Sequence, residues 1–386
     1  MRYVIWCQVI DHFGDAGVCW RLARTLAQEL SSGPDLEIIL AIDRPAVLGR
    51  LVPAFDSANL GRSDTVSMVD GVRIVDWQFP ALEVDVMISA FGCRLPHGVL
   101  ETMGQQDPPP IWINLEHLSP QTWVNSCHTL PSPNPINGLP EVFFFPGFDP
   151  QTGGLLREAN LLERRDRFHA DPQARDVCLA ELGVGQADRQ LPALLAFGYA
   201  DAPLDVLIQT LAQGEPMLLL LPSGPAPTVR HGALRVHAFG WVPQSDFDRL
   251  LWCCSAAFVR GEDSLVRAHW AAIPFIWQPY RQRDRSHHDQ LDAWLERWQP
   301  FLSEPAAQAQ VSLARAWDRG DRDHLPAAWS EWLECLPELQ TGAAAWSRQL
   351  AAGPSLVHSL GEFVRDRLES RSPLSHSLRH SRLDSR

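Results

Sequence analysis

Residues 2–10 read RYVIWCQVI and residues 15–30 read DAGVCWRLARTLAQEL, and these two segments decide the fold class. The first is an apolar run of strand length, and the second carries Trp20, Leu22 and Leu26 at helical spacing. A strand followed by a helix, when the pattern repeats, predicts a parallel sheet covered by helices on both faces. We therefore expect an α/β fold.

The same alternation recurs in both halves of the chain. In the first half, further strands are predicted at 36–42, 84–91 and 110–115. In the second half, strands are predicted at 191–197, 217–221, 234–239, 256–259 and 274–277. Between the halves, 127–157 is rich in proline, glycine and aromatic residues and 158–181 is polar and rich in arginine, which predicts a crossover between domains. Ligands of such folds bind outside the carboxyl ends of the parallel strands.

The length of the chain also indicates two domains. At about 100–200 residues per domain, 386 residues suffice for two. We expect Rossmann-like domains at 1–157 and 186–345, joined by a linker at 158–185. The segment 371–386 is rich in serine, arginine and histidine, so we expect it to be a disordered tail.

The composition excludes several classes of protein. A formal net charge of −13 argues against nucleic acid or an anionic membrane as the main partner. No stretch approaches the ~20 apolar residues of a membrane span, and the N-terminus has no signal-peptide layout, so we expect a cytoplasmic protein. All 33 basic residues are arginine, which excludes any mechanism that depends on lysine. The eight cysteines form no C-x-x-C pair, and we expect buried, reduced thiols.

The junction between the first strand and the first helix carries the first candidate site. Asp11 and Asp15 lie four residues apart there, and Gly14 and Gly17 allow a tight turn and the close approach of a ligand. Paired carboxylates at the carboxyl end of a strand suit a general-base site. The structural alternative is that Asp15 is only the N-cap of the helix and Asp11 only ends the strand.

A second strand-to-helix junction carries another candidate site. A strand runs through Arg260 into Gly261 and a helix, and helix-start amides beside an arginine form a diphosphate site. Ser264 can donate a further hydrogen bond. Glu262 and Asp263 would repel a diphosphate, so we expect them to point toward hydroxyl groups or one of them to cap the helix. The alternative for the whole junction is a capping box with charged residues.

Aromatic residues beside an amide form the third candidate site. Phe197 and Tyr199 follow a strand, and Trp241 and Gln244 precede a helix that contains Phe247. An aromatic ring can stack on a nucleobase while an amide reads the edge of the base. Core packing of each aromatic residue is the alternative.

Two motifs have the composition of a metal site. His287 and His288 are adjacent, and because adjacent residues of a helix do not face one site, we expect them at the surface. The D-x-D of 321–323 lies in the charged run 318–324 between helices, which is typical of a solvated linker. We therefore predict no metal site.

Long strings of this chain resemble one family, the elongation factor P arginine rhamnosyltransferases. The resemblance extends from residue 2 to about residue 367. It rests on D-x-F-G-D at 11–15, GVCWRLAR at 17–24, NLE at 114–116, LPSP at 130–133, FFFPGF at 143–148, TGGLLRE at 152–158, DRLLW at 248–252 and FVRGEDS at 258–264. The sequence departs from the family pattern at His12, where asparagine is usual, and at Trp241, where phenylalanine is usual.

The resemblance implies a GT-B fold, with two Rossmann-like domains that face a cleft. The acceptor domain would be 1–157 together with a C-terminal helix near 346–370, and the nucleotide-sugar domain would be 186–345. The resemblance further implies an inverting transfer of L-rhamnose from dTDP-β-L-rhamnose to an arginine side chain of elongation factor P, without a metal or cofactor. The modified factor would then rescue ribosomes stalled at consecutive prolines.

The functional positions of the family fall on matching residues of this sequence. The resemblance makes Asp15 the expected base, with Asp11 beside it and Glu262 as a third catalytic candidate. The residues expected to bind dTDP-rhamnose are Phe13, Gly14, Gly17, Phe197, Tyr199, Trp241, Gln244, Phe247, Arg260, Gly261, Glu262, Asp263, Ser264 and Tyr280.

Two other functions stay open on the sequence. The same fold could transfer a sugar to a glycan or a small molecule, which a polybasic or lipid-facing helix would favour, and the sequence shows no such helix. A non-catalytic nucleotide-binding protein would be favoured by the loss of Asp11, Asp15 or Arg260, and all three residues are present.

Overall fold

The chain forms two compact units. The computed structural model describes four stretches of the chain, which are residues 1–30, 35–60, 67–78 and 82–371. The first unit comprises Met1–Glu158 and the chain from Gly353 onward, and the second comprises Ala159–Ala352. Among the helices of these stretches, none combines the length and the apolar character that crossing a membrane requires.

Strands and helices alternate in the first unit. Its strands are β1 (Arg2–Cys7), β2 (Glu37–Ile42), β3 (Ser67–Val69), β4 (Val72–Asp76), β5 (Val86–Ala90), β6 (Ile111–Leu115), β7 (Pro131–Pro133) and β8 (Pro140–Phe144). Its first four helices are α1 (His12–Glu29), α2 (Pro45–Leu51), α3 (His97–Gln105) and α4 (Val124–Cys127), and a short 3₁₀ helix spans Ser57–Asn59.

The eight strands form one sheet in the order β3-β4-β2-β1-β5-β6-β8-β7. The six inner strands run parallel, and β3 and β7 pair antiparallel at the two edges. Strand β1 has β2 on one side and β5 on the other, with Tyr3 opposite both Ile38 and Val86. The chain therefore reverses its direction of winding at β1, which makes the carboxyl end of this strand the place where such sheets bind ligands.

The second unit repeats this architecture. Its strands are β9 (Ala193–Ala196), β10 (Met217–Leu221), β11 (Val229–His231), β12 (Leu234–Ala238), β13 (Ala256–Arg260) and β14 (Phe275–Gln278). Its helices are α5 (Leu161–Ala170), α6 (Ala174–Glu181), α7 (Leu204–Ala212), α8 (Gln244–Trp252), α9 (Asp263–Ala271), α10 (Ser286–Trp298), α11 (Glu304–Arg319), α12 (Leu325–Glu334) and α13 (Leu336–Ala352). A 3₁₀ helix spans Gln299–Phe301.

The sheet of the second unit has the order β11-β12-β10-β9-β13-β14, and only its edge strand β11 pairs antiparallel. Strand β9 lies between β10 and β13. The winding therefore reverses at β9 in the same way as at β1 in the other unit, and the carboxyl ends of β9 and β13 flank the switch point.

The last helix, α14 (Leu356–Arg371), belongs to the first unit. Leu356, Val357, Leu360 and Val364 are all buried in a core that also contains apolar residues of α1. The helix expected near 346–370 is thus two helices, because Gly353 and Pro354 interrupt the helical chain after α13.

Two further segments were given a structural role by the sequence analysis. The segment expected to be a linker, 158–185, contains α5 and α6 of the second unit, whose mostly polar sequences bury only Leu161, Cys178 and Leu179. The segment expected to be a disordered tail, 371–386, lies outside the described residues except for Arg371, which ends α14.

The cysteines of the chain are free thiols. Six of them are buried, and Cys127 and Cys335 are half-buried. The prediction of buried cysteines is therefore confirmed for six of the eight. Burial raises the pKa of Cys93 and of Cys254 to about 12, which keeps these thiols protonated and unreactive.

Candidate active site

The carboxyl end of β1 holds the aspartate pair. Helix α1 begins at His12, so Asp11 occupies the N-cap position and Asp15 lies within the first turn. The Asp15 carboxylate turns back toward the strand, and its Oδ2 accepts the N–H groups of Ile10 at 2.7 Å and Asp11 at 2.8 Å. The alternative that Asp15 is the N-cap of the helix is therefore wrong, because Asp11 occupies that position. Asp15 does accept hydrogen bonds from amides next to the helix start.

Asp15 is almost completely buried, with 5% of its surface exposed. Both hydrogen bonds to its carboxylate end on Oδ2. Within the part of the chain that the structure describes, no group of the protein donates to Oδ1, so this oxygen can receive a proton while Oδ2 holds the turn.

The neighbouring residues shape the space around this pair. A Cβ on Gly14 would come within 2.8 Å of Asp11 Oδ2, so only glycine lets the Asp11 carboxylate lie against the helix start. Gly17 is buried one turn further along, and the guanidinium of Arg50 lies 5.5 Å from the centre of the Phe13 ring. The structure thus gathers the five predicted residues of this junction at one end of β1.

Buried ion pairs hold α1 in place. Arg21 has no exposed surface, and its Nη1 lies 3.0 Å from Glu158 Oε1. The same oxygen lies 3.3 Å from Nη2 of Arg24. Glu158 thus neutralises two arginines of α1, and it ties the helix to the end of the first segment of this unit.

We expect Glu158→Ala to lower the free energy of unfolding of the first unit by about 3–5 kcal/mol, because it leaves the Arg21 guanidinium buried without its carboxylate. Chemical denaturation monitored by circular dichroism measures this loss. The matched control is Glu369→Ala on the exposed face of α14, which should change stability by less than about 0.5 kcal/mol. Equal effects of the two substitutions would contradict a role for the Arg21–Glu158 pair.

The second group of predicted residues lies at the carboxyl ends of β9, β13 and β14. The Arg260 guanidinium lies 4.7 Å from the centre of the Phe197 ring and 4.6 Å from that of Tyr199. The Phe197 ring contacts Phe247 at 5.8 Å, and the Tyr199 ring contacts Tyr280 edge-on at 6.0 Å. The sequence prediction that these rings and Arg260 belong to one site is therefore consistent with their contacts.

The turn between β13 and α9 presents a helix start beside Arg260. Gly261 has a φ of +60°, which favours glycine, and its N–H donates to the Gln278 carbonyl at 3.1 Å. The Ser264 Oγ accepts the N–H of Arg260 at 3.0 Å and donates to the carbonyl of the same residue. The Ser264 hydroxyl therefore stabilises the turn, and it could donate to a diphosphate only by giving up its bond to the Arg260 carbonyl.

The acidic residues of this turn do not form a capping box. Glu262 occupies the N-cap position of α9 and makes no capping hydrogen bond with its side chain. Asp263 Oδ2 accepts a hydrogen bond from Gln244 Nε2 at 3.1 Å, so the amide expected to read a base contacts the start of the neighbouring helix. The capping-box alternative is thus wrong for this junction.

Trp241 differs from the other aromatic candidates in its exposure. It lies in the loop before α8, three residues from Gln244, and 47% of its surface is exposed. Tyr280 is exposed to a similar extent, at 46%. Core packing does not account for either residue, and each ring offers a face on which a base or sugar can stack.

Three residues that support this site were missed at the sequence level. Asp248 and Arg267 form a buried bidentate pair, with both N–O distances at 2.6 Å, and this pair joins α8 to α9. Gln278, which is completely buried, accepts the N–H of Tyr199 at 2.9 Å through its side chain. Gln278 could have been noticed in the sequence only as a polar residue at the end of an apolar strand. Asp248 and Arg267 are too far apart in the sequence for a motif to predict their contact.

Two other features of the second unit lie apart from these residues. A groove of about 840 Å³ is lined by residues of α10, of α11 and of the segments that follow these two helices, and none of the predicted site residues lines it. One group of potential metal ligands occurs among the described residues, and it consists of His287, His288 and Asp318.

Comparison with known proteins identifies the family of this chain. A family model described as Elongation-Factor P (EF-P) rhamnosyltransferase EarP matches residues 3–365. A protein-arginine rhamnosyltransferase of Pseudomonas putida is 40% identical over 384 residues, which cover 94% of this chain and 98% of that protein. One from Neisseria meningitidis is 31% identical over 393 residues, which cover 93% and 96% of the two chains.

Solved structures give the same assignment of the fold. A structure described as the structural basis for EarP-mediated arginine glycosylation of translation elongation factor EF-P matches with a TM-score of 0.65 and 30% identity, and the match covers 95% of this chain and 99% of that chain. The spinosyn rhamnosyltransferase SpnG in complex with thymidine diphosphate matches with a TM-score of 0.52 at 11% identity, over 94% and 100% of the two chains. These matches confirm the predicted GT-B fold. The chain belongs to the EF-P rhamnosyltransferase EarP family, and it is a glycosyltransferase of the protein-arginine rhamnosyltransferase class.

Proposed function

We propose that this enzyme transfers L-rhamnose from dTDP-β-L-rhamnose to an arginine side chain of translation elongation factor P. The transfer inverts the configuration at the anomeric carbon, needs no metal or cofactor for its chemistry, and takes place in the cytoplasm, where the modified factor rescues ribosomes stalled at consecutive prolines. The observation that carries the proposal is the placement of a carboxylate pair at one switch point and an arginine–aromatic cluster at the other, in a chain of this family.

The first unit supplies the chemistry that an arginine acceptor demands. A guanidinium has a pKa above about 12, and its delocalised lone pairs make it a poor nucleophile. Two carboxylates can hold its N–H groups in a fixed orientation, and Asp11 and Asp15 lie at the same turn, where the Asp11 N–H donates to the Asp15 carboxylate. Asp15 accepts the proton on Oδ1 as the C–N bond forms, so a neutral arginine never has to exist free.

The second unit supplies the groups that a nucleotide-sugar donor demands. The Arg260 guanidinium and the first amides of α9 offer positive charge to the diphosphate as it leaves. The rings around Arg260 and the exposed Trp241 can stack on the base, and the Gln244 amide can form hydrogen bonds with the edge of the base. Glu262, at the N-cap of α9, offers its carboxylate to the hydroxyl groups of the sugar.

The stereochemistry follows from a single displacement. The acceptor nitrogen attacks the anomeric carbon from the face opposite the diphosphate, the C–N bond forms as the C–O bond breaks, and a β-configured donor gives an α-configured product. The electron pair of the broken bond leaves with dTDP, whose new charge is stabilised by Arg260 and the helix-start amides.

Analysis of the product by NMR tests the donor and the inversion together. The purified enzyme is incubated with elongation factor P and dTDP-β-L-rhamnose, with and without added Mg²⁺, and UDP-glucose replaces the donor in a parallel reaction. We expect an α-linked rhamnosyl arginine at the same rate in both metal conditions, and no product from UDP-glucose. A β-linked product, a strict requirement for added Mg²⁺, or efficient use of UDP-glucose would overturn the corresponding part of the proposal.

A further inference from the structure

His287, His288 and Asp318 converge in the second unit, and none of them is one of the predicted donor residues. The two histidines are in the first turn of α10, and Asp318 is near the end of α11. One potential ligand atom from each residue lies within 4.8 Å of the other two. The expectation of a surface position is wrong for His287, which is buried, and the rings of the two histidines lie with their centres 4.1 Å apart.

Two of the three residues of this cluster are buried. Asp318 is 1% exposed and His287 is 5% exposed, so the expectation of a solvated run at 318–324 fails at its first residue. His288 Nδ1 lies 2.7 Å from Asp318 Oδ2, and the His288 side chain is 31% exposed. This partial exposure gives the cluster a route to solvent.

Two polar atoms of the cluster are buried without a hydrogen-bond partner in the part of the chain that the structure describes. These atoms are His287 Nε2 and Asp318 Oδ1. A buried polar atom left unpaired costs free energy of the order of 1–3 kcal/mol, and native proteins rarely leave two such atoms in one cluster. A bound cation would give both the carboxylate oxygen and the imidazole nitrogen a partner.

We propose that His287, His288 and Asp318 form a binding site for one divalent transition-metal ion, with Zn²⁺ as the best fit. Two imidazole nitrogens and one carboxylate oxygen are ligands that Zn²⁺ accepts in tetrahedral geometry, with water as the fourth ligand. Mg²⁺ and Ca²⁺ prefer sites made of oxygen atoms, so the two histidines discriminate against both ions.

The geometry needs only a small adjustment. Tetrahedral bonds of about 2.0–2.2 Å place neighbouring ligand atoms about 3.4 Å apart, so His288 must swing slightly from its 2.7 Å contact with Asp318. The ion takes the place of the proton between these two groups, and that proton moves to Nε2 of His288, which stays a neutral imidazole. When His287 binds through Nε2, its proton moves to Nδ1, and the long 3.4 Å contact that Nδ1 accepts from the Gln282 N–H is given up.

The charges around the site are balanced by neighbours. The Arg281 guanidinium contacts the site, and its Nη2 donates to the main-chain carbonyl of Asp318 at 2.8 Å. Its Nε lies 2.5 Å from the Asp201 carboxylate, so a second acidic group offsets its charge. Burial lowers the pKa of His287 most, His288 and Arg281 lower it further, and the carboxylates of Asp318 and Asp284 raise it.

The position of the site gives the ion a structural role. It would join the start of α10 to the end of α11 directly under the loop 279–285, which contacts both helices through Arg281 and Gln282. The predicted chemistry of sugar transfer does not involve this ion, and the proposal therefore stands or falls independently of the proposed function.

Titration of the metal-free enzyme tests the site. The full-length protein is treated with a chelator, desalted and titrated with Zn²⁺ by calorimetry and with Co²⁺ by visible absorption, and Mg²⁺ serves as the negative control. We expect one Zn²⁺ per chain, a tetrahedral Co²⁺ spectrum without a thiolate charge-transfer band, a rise in Tm with Zn²⁺, and no binding of Mg²⁺. His288→Gln and Asp318→Asn should each weaken Zn²⁺ binding at least ~10–100-fold, the loss seen even for residues that only orient a metal ligand.

The control variant is His97→Gln, which breaks an exposed histidine–carboxylate pair with Glu101 in the first unit and should leave Zn²⁺ binding unchanged. If Asp318→Asn fails to fold by circular dichroism, the partly exposed His288→Gln decides the question. Absence of Zn²⁺ binding by the wild type, equal affinity in the wild type and His288→Gln, or a thiolate band in the Co²⁺ spectrum would each overturn the proposal.

Discussion

Asp15→Asn lowers the kcat of rhamnosyl transfer by about 10²–10⁴-fold, the contribution expected of a general base. The asparagine oxygen can still accept the N–H groups of Ile10 and Asp11, so the turn at the start of α1 should survive. The amide has no basic oxygen to take the proton of the guanidinium. Steady-state kinetics with elongation factor P as the acceptor measure the loss, and the dissociation constant for dTDP should stay within a few-fold of the wild-type value.

Asp43→Asn is the matched control for this substitution. Asp43 follows β2 at the same edge of the sheet, and its Oδ1 accepts the N–H of Val9 at 2.9 Å, a bond that asparagine can keep. We expect nearly wild-type kcat for this variant. An Asp15→Asn enzyme with full kcat would remove Asp15 from the role of base, and an equal loss in Asp43→Asn would show that any change at this edge of the sheet disturbs activity.

Arg260→Gln lowers kcat/KM by about 10²–10³-fold, because the leaving diphosphate loses the cation that stabilises its developing charge. The glutamine keeps a polar side chain of moderate length but loses the charge and the planar face that lies on Phe197 and Tyr199. Arg260→Lys should recover only part of the activity, because a point charge replaces neither the fork of donors nor the stacking. Kinetics at varied donor concentration and dTDP binding by calorimetry separate the effect on kcat from the effect on binding.

Arg230→Gln provides the control for charge alone. Arg230 is on the exposed edge strand β11 of the same unit, so its loss removes one positive charge without touching the aromatic cluster. We expect no measurable change in kcat/KM. If Arg260→Gln lowered Tm strongly and left kcat/KM intact, Arg260 would be a residue that only holds the two rings together.

The fold was predictable from hydrophobic pattern because most of its strands are buried on both faces. Segments such as 36–42 and 217–221 are short apolar runs, and both form strands at nearly these bounds, Glu37–Ile42 and Met217–Leu221. The strands β3, β4 and β8 were missed. The exposed edge strands β7 and β11 were missed as well, since all their residues lie at the surface and no apolar pattern marks them. Their pairing depends on hydrogen bonds with a neighbour, which a local pattern does not encode.

The candidate residues were predictable as groups, and their individual contacts were not. The junctions after β1 and β13 are visible in the sequence as glycine and charged residues that follow an apolar run. The bonds of Ser264 to Arg260 and of Gln244 to Asp263 depend on backbone geometry and on the packing of α8 beside α9. The Asp248–Arg267 pair, which joins these two helices, spans elements that the sequence alone does not place together.

The proximity of His287 and Asp318 was also not predictable from the sequence. Helical periodicity places adjacent side chains about 100° apart, and that rule predicted two solvent-facing histidines. Tertiary packing of α10 against α11 buries one of them and brings the other to Asp318. Residues 321–324 are exposed, as the charged composition of the run 318–324 predicts. Asp318, which belongs to the same run, is buried.

The intact mass of elongation factor P after incubation with this enzyme and dTDP-β-L-rhamnose tests the central claim most directly. Our account predicts a gain of one deoxyhexosyl residue in the wild-type reaction, located on an arginine by fragmentation of the peptides, and no gain within the same time in the Asp15→Asn reaction. An unchanged mass in the wild-type reaction, with dTDP binding intact, would contradict the account and indicate a different acceptor or a protein that binds the nucleotide without transferring the sugar.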